Sequence, residues 1–177
     1  MTEEVTMGLE IIEGETRVPE VILPQRVGGE FVTLDTQQQF AGKRVIVFGL
    51  PGAFTPTCST QQLPGFEEKF AEFQEKGIDE IYCVSVNDTF VMNAWMNSLD
   101  IQKVKPLPDG SGEFTRKMGF LVDKTNIGFG YRSWRYSMIV NDGLVEALFV
   151  EPGIEDNAEG DPFVVSGAPV MLEHLQG

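Results

Sequence analysis

The stretch GKRVIVFGLPGAFTPTCST, residues 42–60, joins an apolar run to a segment that contains two prolines, three threonines and one cysteine. Residues 42–50 have the pattern of a strand that is buried on both faces of a sheet. After Cys58, three phenylalanines recur with the spacing of one apolar helix face, at Phe66, Phe70 and Phe73. The stretch therefore predicts a cysteine at the junction between a buried strand and an amphipathic helix.

Strands and helices alternate along the rest of the chain. The apolar patterns predict further strands at 18–23, 30–34, 81–86, 134–140 and 144–150. Helices are expected from Cys58 to near Gly77, with Pro64 kinking the first turns, from Asn87 or Asp88 onward, around 113–119 and at 169–177. The segments between them are expected to be loops, at 104–112, 125–133 and the acidic 151–162.

The order of these elements predicts one α/β domain over residues 1–177. The first two strands flank a turn and should form an N-terminal β-hairpin extension, and Asn141-Asp142-Gly143 predicts a type I′ turn between the last two. The other strands should form a mixed central sheet with an antiparallel edge, flanked by helices. A cysteine at a strand-to-helix junction in such a domain indicates a thioredoxin-like fold.

Composition and charge exclude several classes of partner. A formal net charge of −14 disfavours nucleic acid and anionic membrane surfaces, because a polyanion would be repelled. No run approaches the ~20 apolar residues of a membrane span, and residues 1–10 lack the basic start of a signal peptide. A cytoplasmic protein is therefore expected, and in that reducing compartment its two cysteines should be thiols.

The surroundings of Cys58 favour a working thiol. Thiolate is the reactive form of cysteine, and a helix N-terminus or a cation beside the sulfur stabilises it. Pro51 and Pro56 carry no amide hydrogen and can shape a loop whose other N–H groups point at an anion. Thr55 can place a hydroxyl next to the sulfur. The alternative is a simple turn with Cys58 as a small capping residue, but the polar residues 59–61 favour an exposed cysteine at the helix start.

Three residues, Pro51, Thr55 and Cys58, form the motif PxxxTxxC. The segment VFGLPGAFTPTCS, followed by LPGF, resembles the active-site segment of peroxiredoxins, and the subfamily it resembles is peroxiredoxin 5, or type II. The similarity continues through YCVSVNDTFVMNAW, LPDGSGEFTRKMG and GFGYRSWRYSMIVNDG and covers most of residues 18–150. The sequence is also similar to the peroxiredoxin half of bacterial peroxiredoxin–glutaredoxin fusions.

The resemblance implies a thiol peroxidase that needs no metal or organic cofactor. Cys58 would attack the O–O bond of hydrogen peroxide or an alkyl hydroperoxide and become a sulfenic acid. Thr55 would hydrogen-bond the sulfur and the peroxide, and Pro51 would shield the thiolate from water. The active-site arginine of the family maps onto Arg135, whose charge would favour the thiolate and stabilise the leaving oxygen. Arg132 is close enough in sequence to be a rival.

The chain departs from the family pattern in two ways. Many relatives have a histidine where this chain has Gln62, which cannot titrate near neutral pH, and the only histidine is the distant His174. Members of the subfamily that form an internal disulfide carry a resolving cysteine in the C-terminal third, but here no cysteine follows Cys83. The place of Cys83 in a predicted strand favours a small buried residue over a resolving cysteine. A one-cysteine mechanism is therefore expected.

The resemblance also implies partners for this mechanism. An external thiol would recycle the sulfenic acid, with glutathione and glutaredoxin as the first choice and thioredoxin as the second. Type II relatives associate as homodimers through loops near the active site. Here Pro51–Phe54 and the region around Phe90 could supply such a surface.

Two other functions are compatible with a single reactive thiol. A redox-sensing or holdase-like interaction protein would be switched by oxidation of Cys58 and would not turn over. A disulfide oxidoreductase of the thioredoxin kind normally carries CxxC, whereas this motif is Thr55-Pro56-Thr57-Cys58. Sustained turnover with a reductant would separate a peroxidase from a sensor.

Overall fold

The computed structural model describes residues 10–176, so the expectations for residues 1–9 and for Gly177 lie outside the described residues. The strands in chain order are β1 Ile22–Val27, β2 Glu30–Asp35, β3 Arg44–Gly49, β4 Glu80–Ser85, β5 Lys105–Pro108, β6 Leu121–Asp123, β7 Tyr131–Ser133, β8 Tyr136–Asn141 and β9 Leu144–Val150. The α-helices are α1 Thr36–Phe40, α2 Leu63–Glu68, α3 Phe70–Glu75, α4 Thr89–Ser98, α5 Glu113–Met118 and α6 Ala168–Gln176. Over the described range, no helix is long and apolar enough to cross a membrane.

The cysteine segment follows the central strand of a five-stranded mixed sheet. The strand order is β5-β4-β3-β8-β9, in which β3, β4 and β5 are parallel to each other. Strands β8 and β9 are each antiparallel to the preceding strand in that order. Strands β1 and β2 form a separate antiparallel hairpin. These features confirm the expected thioredoxin-like fold, with a mixed sheet, an antiparallel edge and an N-terminal hairpin.

Both faces of β3 are apolar, as expected for the central strand of a sheet that is covered on both sides. Val47 points to one face and Phe48 to the other, and neither has exposed surface. On the second face, the ring of Phe66 in α2 stacks on Phe48 at a centroid distance of 4.4 Å. Phe73 in α3 stacks on Phe66 at 5.7 Å. This aromatic packing fixes the helices that follow the cysteine segment against the sheet.

Three short strands were not predicted from the sequence. Strand β5 contains Pro106 and Pro108, which cannot donate to a strand ladder, and it therefore lies at an edge of the sheet, where proline is tolerated. Strands β6 and β7 contain 3 residues each, which is too short to produce a recognisable pattern.

The turn residues account for one hairpin boundary that was predicted wrongly, at β1, and one that was predicted correctly, between β8 and β9. The first hairpin turns at Gly28 and Gly29, both with positive φ, so β1 extends to Val27 and lies later than the predicted 18–23. The type I′ turn between β8 and β9 is confirmed, because Asp142 has a φ of 52° and Gly143 a φ of 84°.

The acidic segment after β9 is only partly the solvated loop expected from the sequence. Residues 152–157 are exposed, but Glu151 at its start is buried. The Glu151 carboxylate accepts hydrogen bonds from the backbone amides of Val164, Val165 and Ser166 and from the Ser166 hydroxyl. These donors satisfy the buried carboxylate and tie the residues before α6 to the end of β9.

Glu67 of α2 stabilises the loop before β5, because its carboxylate accepts hydrogen bonds from the backbone amides of Gln102, Lys103 and Val104 at 2.8–3.0 Å. In Glu67→Ala these amides lose their acceptor, and the free energy of unfolding in urea should fall by about 1–3 kcal/mol. Glu68→Ala, which removes an adjacent exposed carboxylate, should change it by less than about 0.5 kcal/mol. Equal effects of the two substitutions would show that Glu67 does not hold this loop.

Candidate active site

Cys58 begins a wide helical turn directly before α2. Residues Cys58–Gln62 form one turn of π-helix, in which the backbone amide of Leu63 donates to the Cys58 carbonyl. Pro64 has no amide hydrogen, so it cannot donate to the Thr60 carbonyl as a regular α-helix requires. The kink expected at Pro64 is therefore a π-turn on its N-terminal side, and this turn sets the position of the cysteine.

The cysteine side chain is buried, so the expectation of an exposed residue at the helix start is wrong. Cys58 has no exposed surface and lies in the same apolar cluster as Leu50, Ala53 and Leu63. The polar residues 59–61 are partly or fully exposed. Successive residues of a helix point in different directions, so polar neighbours in the sequence do not imply an exposed cysteine.

Arg135, the residue before β8, places a buried cation against this sulfur. Its Nη1 lies 3.4 Å from Cys58 Sγ and 2.6 Å from Gln62 Oε1. Its Nη2 lies 2.7 Å from both carboxylate oxygens of Asp161. Burial disfavours the charge of Arg135, but Cys58 and Asp161 outweigh this effect and raise the pKa of the guanidinium above its ordinary value. Arg135 is therefore a permanent cation that directs one N–H at the sulfur.

Gln62, at the position where the family resemblance led us to expect histidine, links Arg135 to the segment before α6. Its side chain is buried, its Oε1 accepts from Arg135, and its Nε2 donates to the Ser166 carbonyl at 3.3 Å. Ser166 in turn donates its hydroxyl to the buried Glu151. The two contacts of Gln62 need an acceptor and a donor on one neutral side chain, which an amide provides. Gln62 is therefore a fixed link and not a titrating group.

Arg132, the other candidate arginine, holds the loop that precedes the cysteine. Its Nη1 donates to the Pro51 carbonyl and its Nε to the Phe129 carbonyl, each at 3.1 Å. Burial lowers the pKa of Arg132. A Cβ on Gly52 would lie 2.3 Å from Arg132 Nη1, so a larger residue at position 52 would displace the guanidinium from the Pro51 carbonyl. The structure thus places Arg135 on the sulfur and Arg132 on the backbone of the buried Pro51.

Thr55 differs in one respect from its expected role. Its hydroxyl donates to the Gly52 carbonyl at 2.6 Å, so the hydroxyl hydrogen is not directed at the Cys58 sulfur. This bond closes a turn in which Phe54 has a positive φ of 68° and is 56% exposed. The lone pairs of the Thr55 hydroxyl oxygen can still accept a hydrogen bond from a hydroperoxide.

Cys83 lies within β4 and has no exposed surface, as expected for a small buried strand residue. Its neighbours in the sheet are Phe48 on β3 and Pro106 on β5. Burial raises the pKa of the Cys83 thiol well above its usual value, and the charge of Cys58 adds to that rise. Cys83 is therefore a thiol at neutral pH, with a backbone held by a strand on each side.

Three residues that complete the surroundings of Arg135 were missed in the sequence, namely Glu151, Asp161 and Ser166. Glu151 and Asp161 lie in the acidic segment 151–162, whose composition indicated only solvation, and Ser166 lies four residues beyond it. Ser166 contacts Gln62 across 104 positions of the chain, and no local pattern marks such a contact. One signal was available: this segment leads into a C-terminal helix that was expected to pack on the sheet, so the end of the segment had to lie near the sheet.

Comparison with known proteins finds a family model and relatives named peroxiredoxins that match most of the chain. The family model described as Redoxin matches residues 13–161, a range that includes Cys58 and Arg135. A peroxiredoxin of Synechocystis is 54% identical over 170 residues, which cover 91% of this chain and 90% of that protein. The hybrid peroxiredoxin hyPrx5 of Haemophilus influenzae is 51% identical over 164 residues, which cover 93% of this chain and 66% of that protein.

A solved structure is similar over almost the same range. It is the antioxidant protein of Plasmodium falciparum, described as a 1-Cys peroxiredoxin, and it is 36% identical with a TM-score of 0.89. The alignment covers 93% of this chain and 99% of that one. The two chains therefore share one fold over nearly their whole length.

If Arg135 has the role that the resemblance implies, Arg135→Met should slow the first oxidation of Cys58 by hydrogen peroxide by roughly 100- to 1,000-fold, because it removes the buried N–H donor beside the sulfur. The rate is measured by stopped-flow with reduced protein and no added reductant. Arg135→Lys keeps the charge but loses the planar guanidinium whose two Nη groups bind Gln62 and Asp161 at once. Its rate should therefore lie between the rates of the wild type and of Arg135→Met. A rate for Arg135→Met equal to that of the wild type would contradict a role for this cation.

Proposed function

The chain belongs to the peroxiredoxin family, and we propose that it is a one-cysteine peroxidase that reduces hydrogen peroxide and alkyl hydroperoxides. Membership of the family implies thiol-dependent peroxidase activity. The observation that supports the proposal best is the contact between the buried Cys58 and the Arg135 guanidinium, 3.4 Å from Sγ to Nη1. A cation at this distance stabilises a thiolate in a site from which water is excluded. The chemistry needs no metal or organic cofactor.

In the proposed reaction, the Cys58 thiolate attacks one oxygen of the hydroperoxide and the O–O bond breaks. The sulfur supplies the electron pair and is oxidised to a sulfenic acid, while the other oxygen leaves with the bonding electrons and takes a proton to become water or an alcohol. An N–H of Arg135 stabilises the negative charge that develops on the leaving oxygen. The Thr55 oxygen accepts a hydrogen bond from the hydroperoxide, and the buried Pro51 shields the thiolate from water.

A one-cysteine mechanism is proposed because Cys83 is poorly placed to resolve the sulfenic acid. Its strand is paired on both sides, which fixes its backbone, and burial raises the pKa of its thiol, so little of the nucleophilic thiolate is present to attack the sulfenic acid. An external thiol would instead condense with the sulfenic acid, releasing water and forming a mixed disulfide. A second thiol would attack that mixed disulfide and restore Cys58.

Glutathione with glutaredoxin is the proposed reductant, and thioredoxin is the second choice. The sequence is similar to the peroxiredoxin half of peroxiredoxin–glutaredoxin fusions, and one relative at 51% identity is named a hybrid peroxiredoxin. A small thiol also reaches a buried sulfenic acid more easily than a protein thiol does. These reductants belong to a reducing compartment, in agreement with the cytoplasmic location expected from the sequence.

A homodimer is proposed through exposed aromatic residues near the cysteine segment. Phe54 and Phe90 are 56% and 57% exposed. The Phe90 ring makes an edge contact with Phe31, which is itself 59% exposed, at a centroid distance of 5.8 Å. Exposed apolar groups that lie together are often covered in an assembly. Of the expected loop Pro51–Phe54, residues 51–53 are buried and only Phe54 is exposed, so the proposed surface consists of Phe54 and the region around Phe90.

Steady-state consumption of hydrogen peroxide with glutathione and glutaredoxin tests the proposed reaction. Cys58→Ser should show no turnover above the protein-free background, because it lacks the nucleophile. Cys83→Ser is the matched control and should keep the turnover of the wild type, because serine is close in size and the position is outside the proposed chemistry.

Other outcomes would change the mechanism. Loss of turnover in a folded Cys83→Ser, with a circular dichroism spectrum equal to that of the wild type, would make Cys83 a resolving residue. A wild-type protein that is oxidised once and then stops would favour a redox sensor or point to a different reductant.

A further inference from the structure

One side of the Arg135 guanidinium faces a carboxylate instead of the reacting sulfur. Nη1 binds Cys58 and Gln62, whereas both oxygens of Asp161 lie 2.7 Å from Nη2. The Arg135 side chain is 1% exposed and that of Asp161 is 46% exposed, so the carboxylate lies between the cation and solvent. A negative charge therefore already occupies the solvent-facing side of the cation.

Asp161 belongs to a segment that is anchored on both sides of it, residues 151–166, which we call the strap. At the start of the strap, the backbone amide of Glu151 donates to the Arg135 carbonyl at 3.1 Å. At its end, the backbone amide and the hydroxyl of Ser166 both donate to the Glu151 carboxylate. The strap thus holds Asp161 against the guanidinium through contacts that do not involve the Asp161 side chain.

A guanidinium in a substrate pocket is a strong binding group for anions, because its planar N–H groups match the oxygens of a carboxylate. A hydroperoxide with a negative charge would be drawn to Arg135 if Nη2 were free. With Asp161 in place, such a substrate must displace a carboxylate or lie beside it, and its negative charge is repelled by that of Asp161 at contact distance. An uncharged hydroperoxide meets neither obstacle.

The rest of the strap repels anions over a longer range. Glu155, Asp156 and Glu159 are exposed, and the whole chain has a formal net charge of −14. Salt weakens the effect of exposed charges within about 10 Å at 0.1 M ionic strength, whereas Asp161 acts in direct contact with the buried cation. The two contributions can therefore be separated by substitution and by ionic strength.

We propose that Asp161 determines substrate specificity: by occupying Nη2 of Arg135, it excludes anionic hydroperoxides and restricts Cys58 to uncharged ones. This assignment rests on the proposed peroxidase function and names the class of substrate for the same site. Asp161 acts through Arg135. A structural role alone would change the rates for all hydroperoxides alike, whereas a specificity role changes the ratio between charged and uncharged substrates.

The test compares two hydroperoxides that differ in charge, a tertiary alkyl hydroperoxide that carries one carboxylate and the methyl ester of the same compound. The second-order rate constant for oxidation of Cys58 by each is measured by stopped-flow with reduced protein. Asp161→Asn keeps the shape of the side chain and an oxygen that accepts from Nη2, but it removes the charge. The ratio of the acid rate to the ester rate should rise about tenfold or more in this variant. Because the ratio is taken within one variant, a partial loss of folded protein cancels.

Glu159→Gln is the matched control, because it removes one exposed negative charge from the same strap at a position outside the hydrogen bonds of Arg135. Its ratio should change much less than that of Asp161→Asn. Added salt should abolish the change in Glu159→Gln and leave most of the change in Asp161→Asn.

An unchanged ratio in Asp161→Asn, or an equal change in Glu159→Gln, would overturn the assignment. Equal slowing of both hydroperoxides by Asp161→Asn would show a structural role and would overturn it as well. Hydrogen peroxide, measured in the same series, separates these results from failure of the proposed function. A wild-type protein that hydrogen peroxide does not oxidise at Cys58 would contradict the peroxidase itself and the specificity with it.

Discussion

A positive charge buried beside the Cys58 sulfur is the constraint on which the rest of the site depends. Arg135 is 1% exposed, and a buried charge without partners would destabilise the protein strongly. Its partners come from two distant parts of the chain, with Cys58 and Gln62 in the π-turn before α2 and Asp161 in the strap. These contacts offset the loss of hydration and leave the cation oriented towards the sulfur.

The sheet brings these partners together at one end of β3. Its register pairs Gly49 at the end of β3 with Tyr136 at the start of β8, so the cysteine segment leaves the sheet next to Arg135. Glycine is required at this pairing, because a Cβ on Gly49 would lie 2.3 Å from the Tyr136 ring. Pairing of the antiparallel strands β3 and β8 thus brings Cys58 and Arg135 together, although 77 positions of the chain separate them. The same register explains why a strand-to-helix junction can hold both a buried cysteine and a buried cation.

Much of this arrangement follows from the sequence, because its strongest signals are local. The apolar run of β3, the spacing of the phenylalanines and the turn at Asp142 each depend on a few neighbouring residues, and the structure confirms all three. The burial of Cys58 was not predicted, because polar neighbours do not show which way a helix faces. Asp161 was missed for a different reason: an acidic loop has no periodicity, and only the folded position of the strap next to Arg135 reveals that one of its carboxylates pairs with this residue.

The most direct test of a single reactive thiol is to identify the cysteine that one equivalent of hydrogen peroxide oxidises in the reduced protein without reductant. Sulfenic acid is trapped with dimedone, and the cysteine-containing peptides are identified by mass spectrometry. We expect the dimedone adduct on Cys58 and a free thiol at Cys83, because the Arg135 guanidinium lies 3.4 Å from the Cys58 sulfur whereas burial raises the pKa of the Cys83 thiol. A disulfide between Cys58 and Cys83, or an adduct confined to Cys83, would contradict a site built around one reactive cysteine, Cys58, and Arg135.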